Sequence, residues 1–198
     1  MKRLILVRHG QTEWNADRRL QGQTDIALND RGREQARALA SMVADLAPDH
    51  AVTSDLKRAA ETAYLLGVTA SPDPALREQD LGIWTGRAIA DILEETPEDY
   101  RNWRAGRFVP EGAESWDGFR TRIKSALDSA LAACDRTAVI VCHGGVIRAA
   151  LDAILDLTPA RIIPVGPGSL TILAFPDTQG RLEAFNVRAG VVELNAPD

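Results

Sequence analysis

Of three histidines in the chain, two share a setting. His9 follows the apolar run Leu4 to Val7 as Arg8-His9-Gly10, and His143 follows Ala138 to Cys142 as His143-Gly144-Gly145. An imidazole that stays neutral near pH 7 is a nucleophile, and one that protonates is a cation. A phosphoryl group in transfer carries negative charge on its equatorial oxygens, which need positive groups already in place. One neutral histidine attacking phosphorus, with arginines and a second histidine on the oxygens and an acid protonating the leaving oxygen, gives a transfer that needs no metal. Arg8 beside His9 supplies one fixed charge. His50 lacks such a context and reads as an ordinary hydrogen-bonded residue.

The elements around these residues must bring them together. Leu4 to Val7 and Ala138 to Cys142 read as buried strands, with Ala51 to Thr53 a third. Residues 10–30 are polar and turn-rich, and Asn29 then caps a helix whose apolar positions (Ala36, Leu39, Ala40, Val43, Leu46) run to Pro48. Ser54-Asp55 supplies capping residues for a helix from about Leu56 to Leu66. Residues 68–86 are loop-like, and 87–116 read as short helices broken by Pro97 and Pro110. Ser115 opens a helix with Phe119, Ile123, Leu127 and Leu131 at four-residue spacing. Val146 to Leu155 follows as a helix, and Leu170 to Phe175 with Leu182 to Val187 closes as two strands. Alternating strands and helices predict a three-layer α/β/α sandwich with a mainly parallel central sheet. Residues 72–116 are the expected small helical insertion over an edge of the sheet, a lid over the site. In such sheets ligands bind beyond the carboxyl ends of the strands, which is where His9 and His143 would meet. Gly10, Gly144 and Gly145 would let a ligand approach backbone, and the helix that opens at Gly144-Gly145 would turn its amides toward an anion.

Length and charge bound the rest. The 198 residues fit one domain at roughly 150 residues per domain. The composition, 45% hydrophobic and 26% charged, is that of a globular chain rather than a disordered one. A net charge of −5 argues against nucleic-acid and membrane-surface partners. No apolar run approaches bilayer length, and Met1 to Val7 is too short for a signal peptide. Cys134 and Cys142 form no disulfide framework, so a reducing, cytoplasmic setting is expected.

In order along the chain stand Arg8-His9-Gly10-Gln11-Thr12, Trp14-Asn15, Gln21-Gly22, Ser54-Asp55-Leu56-Lys57-Arg58-Ala59, Leu76-Arg77-Glu78, Gly82-Ile83-Trp84 and Cys142-His143-Gly144-Gly145. This ordered set resembles the histidine phosphatase superfamily, in its phosphoglycerate-mutase-like branch, from residue 3 to about 150. The resemblance implies that His9 becomes a phosphohistidine, that Arg8, Arg58 and His143 cradle the phosphoryl oxygens, and that Glu78 is the general acid. It places Asn15, Gln21 and Gly22 against phosphate and substrate, beside the Gly144 region. It implies a phosphoric monoester hydrolase of the histidine acid phosphatase type, with no metal and no cofactor. The substrate is expected to be a small phosphate ester such as a sugar phosphate, a phosphoglycerate derivative or ribazole phosphate. Members of the family often dimerise, which makes a homodimer the expected assembly.

The chain departs from the family pattern at three places. Thr85 stands where Glu is usual, Glu111 to Ser115 stretches a Gly-Glu-Ser segment, and Gly166-Pro167-Gly168-Ser169 replaces a late Asn. All three bear on the substrate side. Trp84, Trp103 and Trp116 either line the mouth or pack the inserted helices. Two alternatives remain: a cofactor-dependent phosphoglycerate mutase, which in this family is generally longer, and a non-catalytic phospholigand-binding protein. A third reading takes Cys142 to Arg148 as the C-x-x-G-x-x-R phosphate loop of cysteine-dependent phosphatases. Against it, Val141 and Ala149 stand where His and a hydroxyl residue are usual.

Overall fold

The computed structural model describes residues 1–190. Strand β1, Lys2–Arg8, lies at the centre of a six-stranded sheet. Parallel to it run β2 (His50–Thr53), β3 (Ser71–Pro72) and β4 (Thr137–Cys142). β5 (Ser169–Phe175) is antiparallel to β1, and β6 (Arg181–Val187) is antiparallel to β5. The order across the sheet is β3-β2-β4-β1-β5-β6.

The continuous apolar runs of β1 and β4 are explained by burial on both faces. Leu4, Leu6, Ala138, Ile140 and Cys142 pack with α6 (Trp116–Ala133) and α7 (Gly144–Leu155), chiefly Phe119, Ile123, Leu127, Val146, Ile147 and Leu151. Ile5, Val7, Val139 and Val141 pack the other way, onto Leu39 and Val43 of α2 (Asp30–Asp45) and Ala59 and Ala63 of α3 (Lys57–Leu65). At about 1.5–3 kcal/mol for each fully buried Val, Leu, Ile or Phe, these two layers carry the fold. The caps expected of Asn29 and Ser115 are present, each accepting from an amide three residues on.

Three local readings need correction. The 68–86 stretch contains β3, which pairs Ser71 and Pro72 with Val52 and Thr53. It is a two-residue edge strand, too short to show a period of two, and its edge position tolerates proline. Ser54 and Asp55 do not cap α3 with their side chains; Asp25 accepts the Lys57 N–H at 2.7 Å instead, from 32 residues away. The stretch after Gly10 is not all turn: Glu13–Ala16 forms α1, closed by a capping box between Thr12 and Asn15.

Helices α4 (Ile89–Glu95) and α5 (Pro97–Arg104) come from the inserted segment, with Pro97 in the first turn of α5, where proline is tolerated. They enclose a separate apolar cluster of Leu20, Leu81, Trp84, Ile89, Ile92 and Trp103, with Tyr100 and Phe108 against it. The Trp84 ring stacks on Tyr100 at 6.4 Å, meets Trp103 edge to face at 5.7 Å and lies tilted against Phe108 at 5.6 Å. Among the described residues, no helix is long and apolar enough to cross a membrane.

Candidate active site

β1 and β4 are neighbours paired Arg8 to Cys142, so the residues that follow them, His9 and His143, leave the sheet side by side. Their rings meet edge to face, with centroids 5.1 Å apart. In front of them opens a cleft walled by Arg8, His9, Asn15, Gln21, Gly22, Arg58, Glu78 and Gly144. Every expected site residue except His143 thus faces one space. His143 forms the layer behind it, fully buried.

The tautomer of His9 follows from its partner. Its Nδ1 lies 2.7 Å from the Gly10 carbonyl, which only accepts, so Nδ1 carries the hydrogen and Nε2 keeps its lone pair. Burial first, then the Arg58 and Arg8 cations, holds the His9 imidazole well below its ordinary value of 6.5. His143 is held down by burial, Arg58 and His9 in turn. Its Nδ1 accepts from Arg58 Nε at 3.3 Å, which leaves Nε2–H to donate to Ser54 Oγ at 2.9 Å. Both imidazoles are therefore neutral near pH 7, and His9 is equipped as a nucleophile.

Two guanidiniums supply the positive charge. Arg58 is fully buried on α3, and its Nη1 and Nη2 donate to the Thr24 and Gly22 carbonyls at 2.6 and 2.8 Å. Burial draws its pKa down to about 10, with Glu78 opposing and Arg8 adding, so it remains a cation at neutral pH. Arg8 donates through Nη1 to the Val165 carbonyl. Asn15 has its amide oxygen taken by the Thr12 backbone N–H, so Nδ2 is the donor it can offer the cleft.

Glu78 arrives from the turn after β3. Its Oε2 accepts from the Gly145 N–H at 2.9 Å and its Oε1 from the Gln79 N–H at 2.8 Å. Three ties hold that turn: Arg77 pairs with Asp55 at 2.6–2.8 Å, Arg122 of α6 donates to the Ala75 and Arg77 carbonyls, and Gln23 donates to the Glu78 carbonyl. The glycines also make room within the protein itself. A Cβ on Gly145 would lie 2.1 Å from Glu78 Oε1, one on Gly144 would touch the Arg8 guanidinium at 3.4 Å, and one on Gly10 would lie 2.2 Å from the Gly32 carbonyl of α2. Each gives room to another part of the protein, and the positive end of α7 meets the Glu78 carboxylate.

Several contributors escaped the sequence reading. Ser54 reads from the sequence only as a cap, yet it holds His143, and Thr62, which carries no signal of its own, takes the Gly10 N–H through Oγ1 while donating to the Arg58 carbonyl. Gly145 stands in the His143-Gly144-Gly145 motif, which does not mark it as the seat of Glu78. Of Trp84, Trp103 and Trp116, Trp103 lines the cleft. Trp84 packs inside the inserted cluster, and Trp116 packs on Phe119 and donates to Asp152. Cys142 is fully buried, and burial, with Glu78 adding, pushes its thiol well above the ordinary value, so it is no thiolate nucleophile.

Fold and cleft together define an α/β protein that sets two guanidinium groups and a carboxylate around a neutral imidazole at the carboxyl ends of its central strands. The chain belongs to the histidine phosphatase superfamily (branch 1), which it matches over residues 4–188. A glucosyl-3-phosphoglycerate phosphatase from Mycolicibacterium vanbaalenii is 37% identical over 219 aligned residues, covering 96% of this chain and 97% of its own length. The structure of a mycobacterial glucosyl-3-phosphoglycerate phosphatase in complex with VO3 superposes with a TM-score of 0.87 at 35% identity, over 94% of this chain and 99% of that one. Phosphoglycerate mutase-like protein 4 of Arabidopsis thaliana is 37% identical over 158 aligned residues, 73% of this chain and 67% of its own. Relatives that match over nearly the whole chain include glucosyl-3-phosphoglycerate phosphatases.

Proposed function

We propose that the protein is a phosphomonoesterase that works through a phosphohistidine at His9. The observation that carries this reading is the His9 ring, whose Nε2 lone pair is left available by the Gly10 contact in a cleft shared with Arg8, Arg58 and Glu78. Nε2 attacks phosphorus as the ester P–O bond breaks, and the departing oxygen takes a proton from the Glu78 carboxyl group. Arg8 and Arg58 balance the equatorial oxygens. The bound anion also favours the protonated form of His143, whose Nδ1 then donates to phosphate in place of accepting from Arg58. The Glu78 carboxylate next takes a proton from water, whose oxygen attacks phosphorus and releases inorganic phosphate with neutral His9. The residues named need no metal, and EDTA is expected to leave turnover unchanged.

Glucosyl-3-phosphoglycerate, or a sugar-bearing phosphoglycerate ester like it, is the substrate we favour, from the relatives that cover nearly the whole chain. Trp103, Leu20, Leu81 and Ile89 give the cleft an apolar wall beside its cations, which suits the sugar face of such an ester. The acid-phosphatase character belongs here too, since a nucleophile kept neutral by burial works below pH 6.5. Both cysteines are free and buried, which supports a reducing cytoplasmic setting.

The test is a panel of phosphate esters, including glucosyl-3-phosphoglycerate and 3-phosphoglycerate, run beside His9→Ala. We expect phosphate release that His9→Ala abolishes. The mutase reading keeps support from the Arabidopsis relative. Formation of 2-phosphoglycerate from 3-phosphoglycerate with a bisphosphoglycerate primer, faster than phosphate release, would decide for it. A wild-type chain that binds phosphate and hydrolyses nothing on the panel would favour the binding protein.

A further inference from the structure

We infer that Asn186, on the outer strand β6, is a positioning residue for the Arg8–His9 pair, acting through the loop 165–168. The inference rests on the phosphatase reading above. Four non-glycine residues among those described have positive φ: Arg18, Ala47, Asp156 and Asn186. Arg18, Ala47 and Asp156 lie where helices end, at α1, α2 and α7, a common place for that conformation. Asn186, at φ 53, lies inside a strand.

The ladder explains the geometry. Leu170 pairs with Val187 and Ile172 with Ala184, so two steps along β5 face three along β6. The extra residue on β6 makes a bulge, a device that re-aims a side chain near functional sites. Here the bulge turns the Asn186 amide toward the loop before β5. Its Oδ1 accepts the Gly166 N–H at 2.9 Å, and its own N–H donates to Thr171 Oγ1 at 3.2 Å. Ser169 Oγ closes the loop by donating to the Gly166 carbonyl at 2.7 Å.

The loop so pinned touches the site twice. The Val165 carbonyl accepts from Arg8 Nη1, and the Gly168 N–H donates to the His9 carbonyl at 3.0 Å. One side chain on the sheet edge thereby sets both the guanidinium that balances phosphate and the backbone of the nucleophile. This is also where the chain departs from its family, with Gly166-Pro167-Gly168-Ser169 in place of a late Asn. Two glycines and a proline offer no side-chain hydrogen bond of their own, and Asn186 supplies one from the neighbouring strand.

Asn186→Gly separates positioning from mere support of the bulge. Glycine accepts the left-handed backbone freely, so the fold keeps its bulge and loses only the amide. Asn186→Asp keeps an acceptor for the Gly166 N–H. Hydrolysis of p-nitrophenyl phosphate, vanadate affinity and Tm are measured for all three proteins. Asn186→Gly is expected to lower kcat about tenfold with KM within about twofold, since small misplacements of reacting groups are costly. Vanadate binding should weaken by a similar factor, Tm should hold, and Asn186→Asp should recover most of the lost rate. Wild-type kcat and vanadate affinity in Asn186→Gly overturn the inference, as does an Asn186→Asp variant equally slow at unchanged Tm. The vanadate arm stands without turnover. A wild-type chain that binds vanadate and hydrolyses nothing sinks the phosphatase reading, while the affinity ratio of Asn186→Gly to wild type still decides this one.

Discussion

At the scale of single residues, the chemistry starts from two buried imidazoles that are uncharged in the free protein. An unfolded histidine takes up a proton below about pH 6.5, whereas His9 and His143 in the fold resist it down to much lower pH. Below pH 6.5 the unfolded chain therefore binds more protons, and stability falls as pH falls. Each histidine contributes up to about 1.4 kcal/mol per pH unit until its folded pKa is reached, and nothing above pH 6.5. Denaturant midpoints between pH 7 and 5 should show this slope, and His9→Gln or His143→Gln should each remove about half of it. Rate gives a second check. A nucleophile with pKa 6.5 would be only about 3% neutral at pH 5. We expect kcat at pH 5 to stay well above that fraction of its pH 7 value; a fall to it would mean His9 titrates like an exposed histidine. Cys142→Ser should keep most of the turnover, because the thiol is buried and protonated.

Among the elements, the junction of α7 with the turn carrying Glu78 is the sensitive one. Gly145→Ala adds one methyl where Glu78 Oε1 already sits. In an exposed helix interior the change would gain up to about 1 kcal/mol, but here Glu78 must leave its seat. We expect kcat to drop about a hundredfold, the scale of a lost general acid, with Tm changed by only a few degrees. An unchanged kcat would show that Glu78 acts from elsewhere. Arg122→Met removes two hydrogen bonds to the carbonyls of Ala75 and Arg77 together with the Glu114 pair, and should cost about 1–3 kcal/mol by denaturant unfolding. Legibility divides along the same line. The strands and helices that carry His9, His143 and Arg58 were readable because apolar runs and helical spacing are local signals. The Glu78–Gly145 contact joins residues 67 apart and leaves no local trace; the family pattern alone pointed to Glu78. Asp25 as the cap of α3 was hidden for the same reason, and β3 was too short to have a period.

Over the whole molecule, the main core and the inserted cluster are separate apolar bodies, so they should fail separately. Trp84 touches Tyr100, Trp103 and Phe108 at the centre of the smaller one. Trp84→Ala should cost about 3–5 kcal/mol locally. Hydrogen exchange over residues 87–105 should quicken and KM rise, while β1 and β4 keep their protection. Loss of protection across the whole sheet would show one cooperative body instead. Composition and alternation were enough to read the three layers, but not which face of the insertion meets the cleft, since Leu20, Leu81, Ile89 and Trp103 are apolar whether they face a ligand or each other. The place of β1 has one more outcome. The segment bearing the attacking nitrogen is far in sequence from both of its flanking partners, β4, ending at Cys142, and β5, ending at Phe175. During refolding the nucleophile therefore has no pocket until both long-range pairings have formed, and recovery of turnover should report the docking of the later of the two strands.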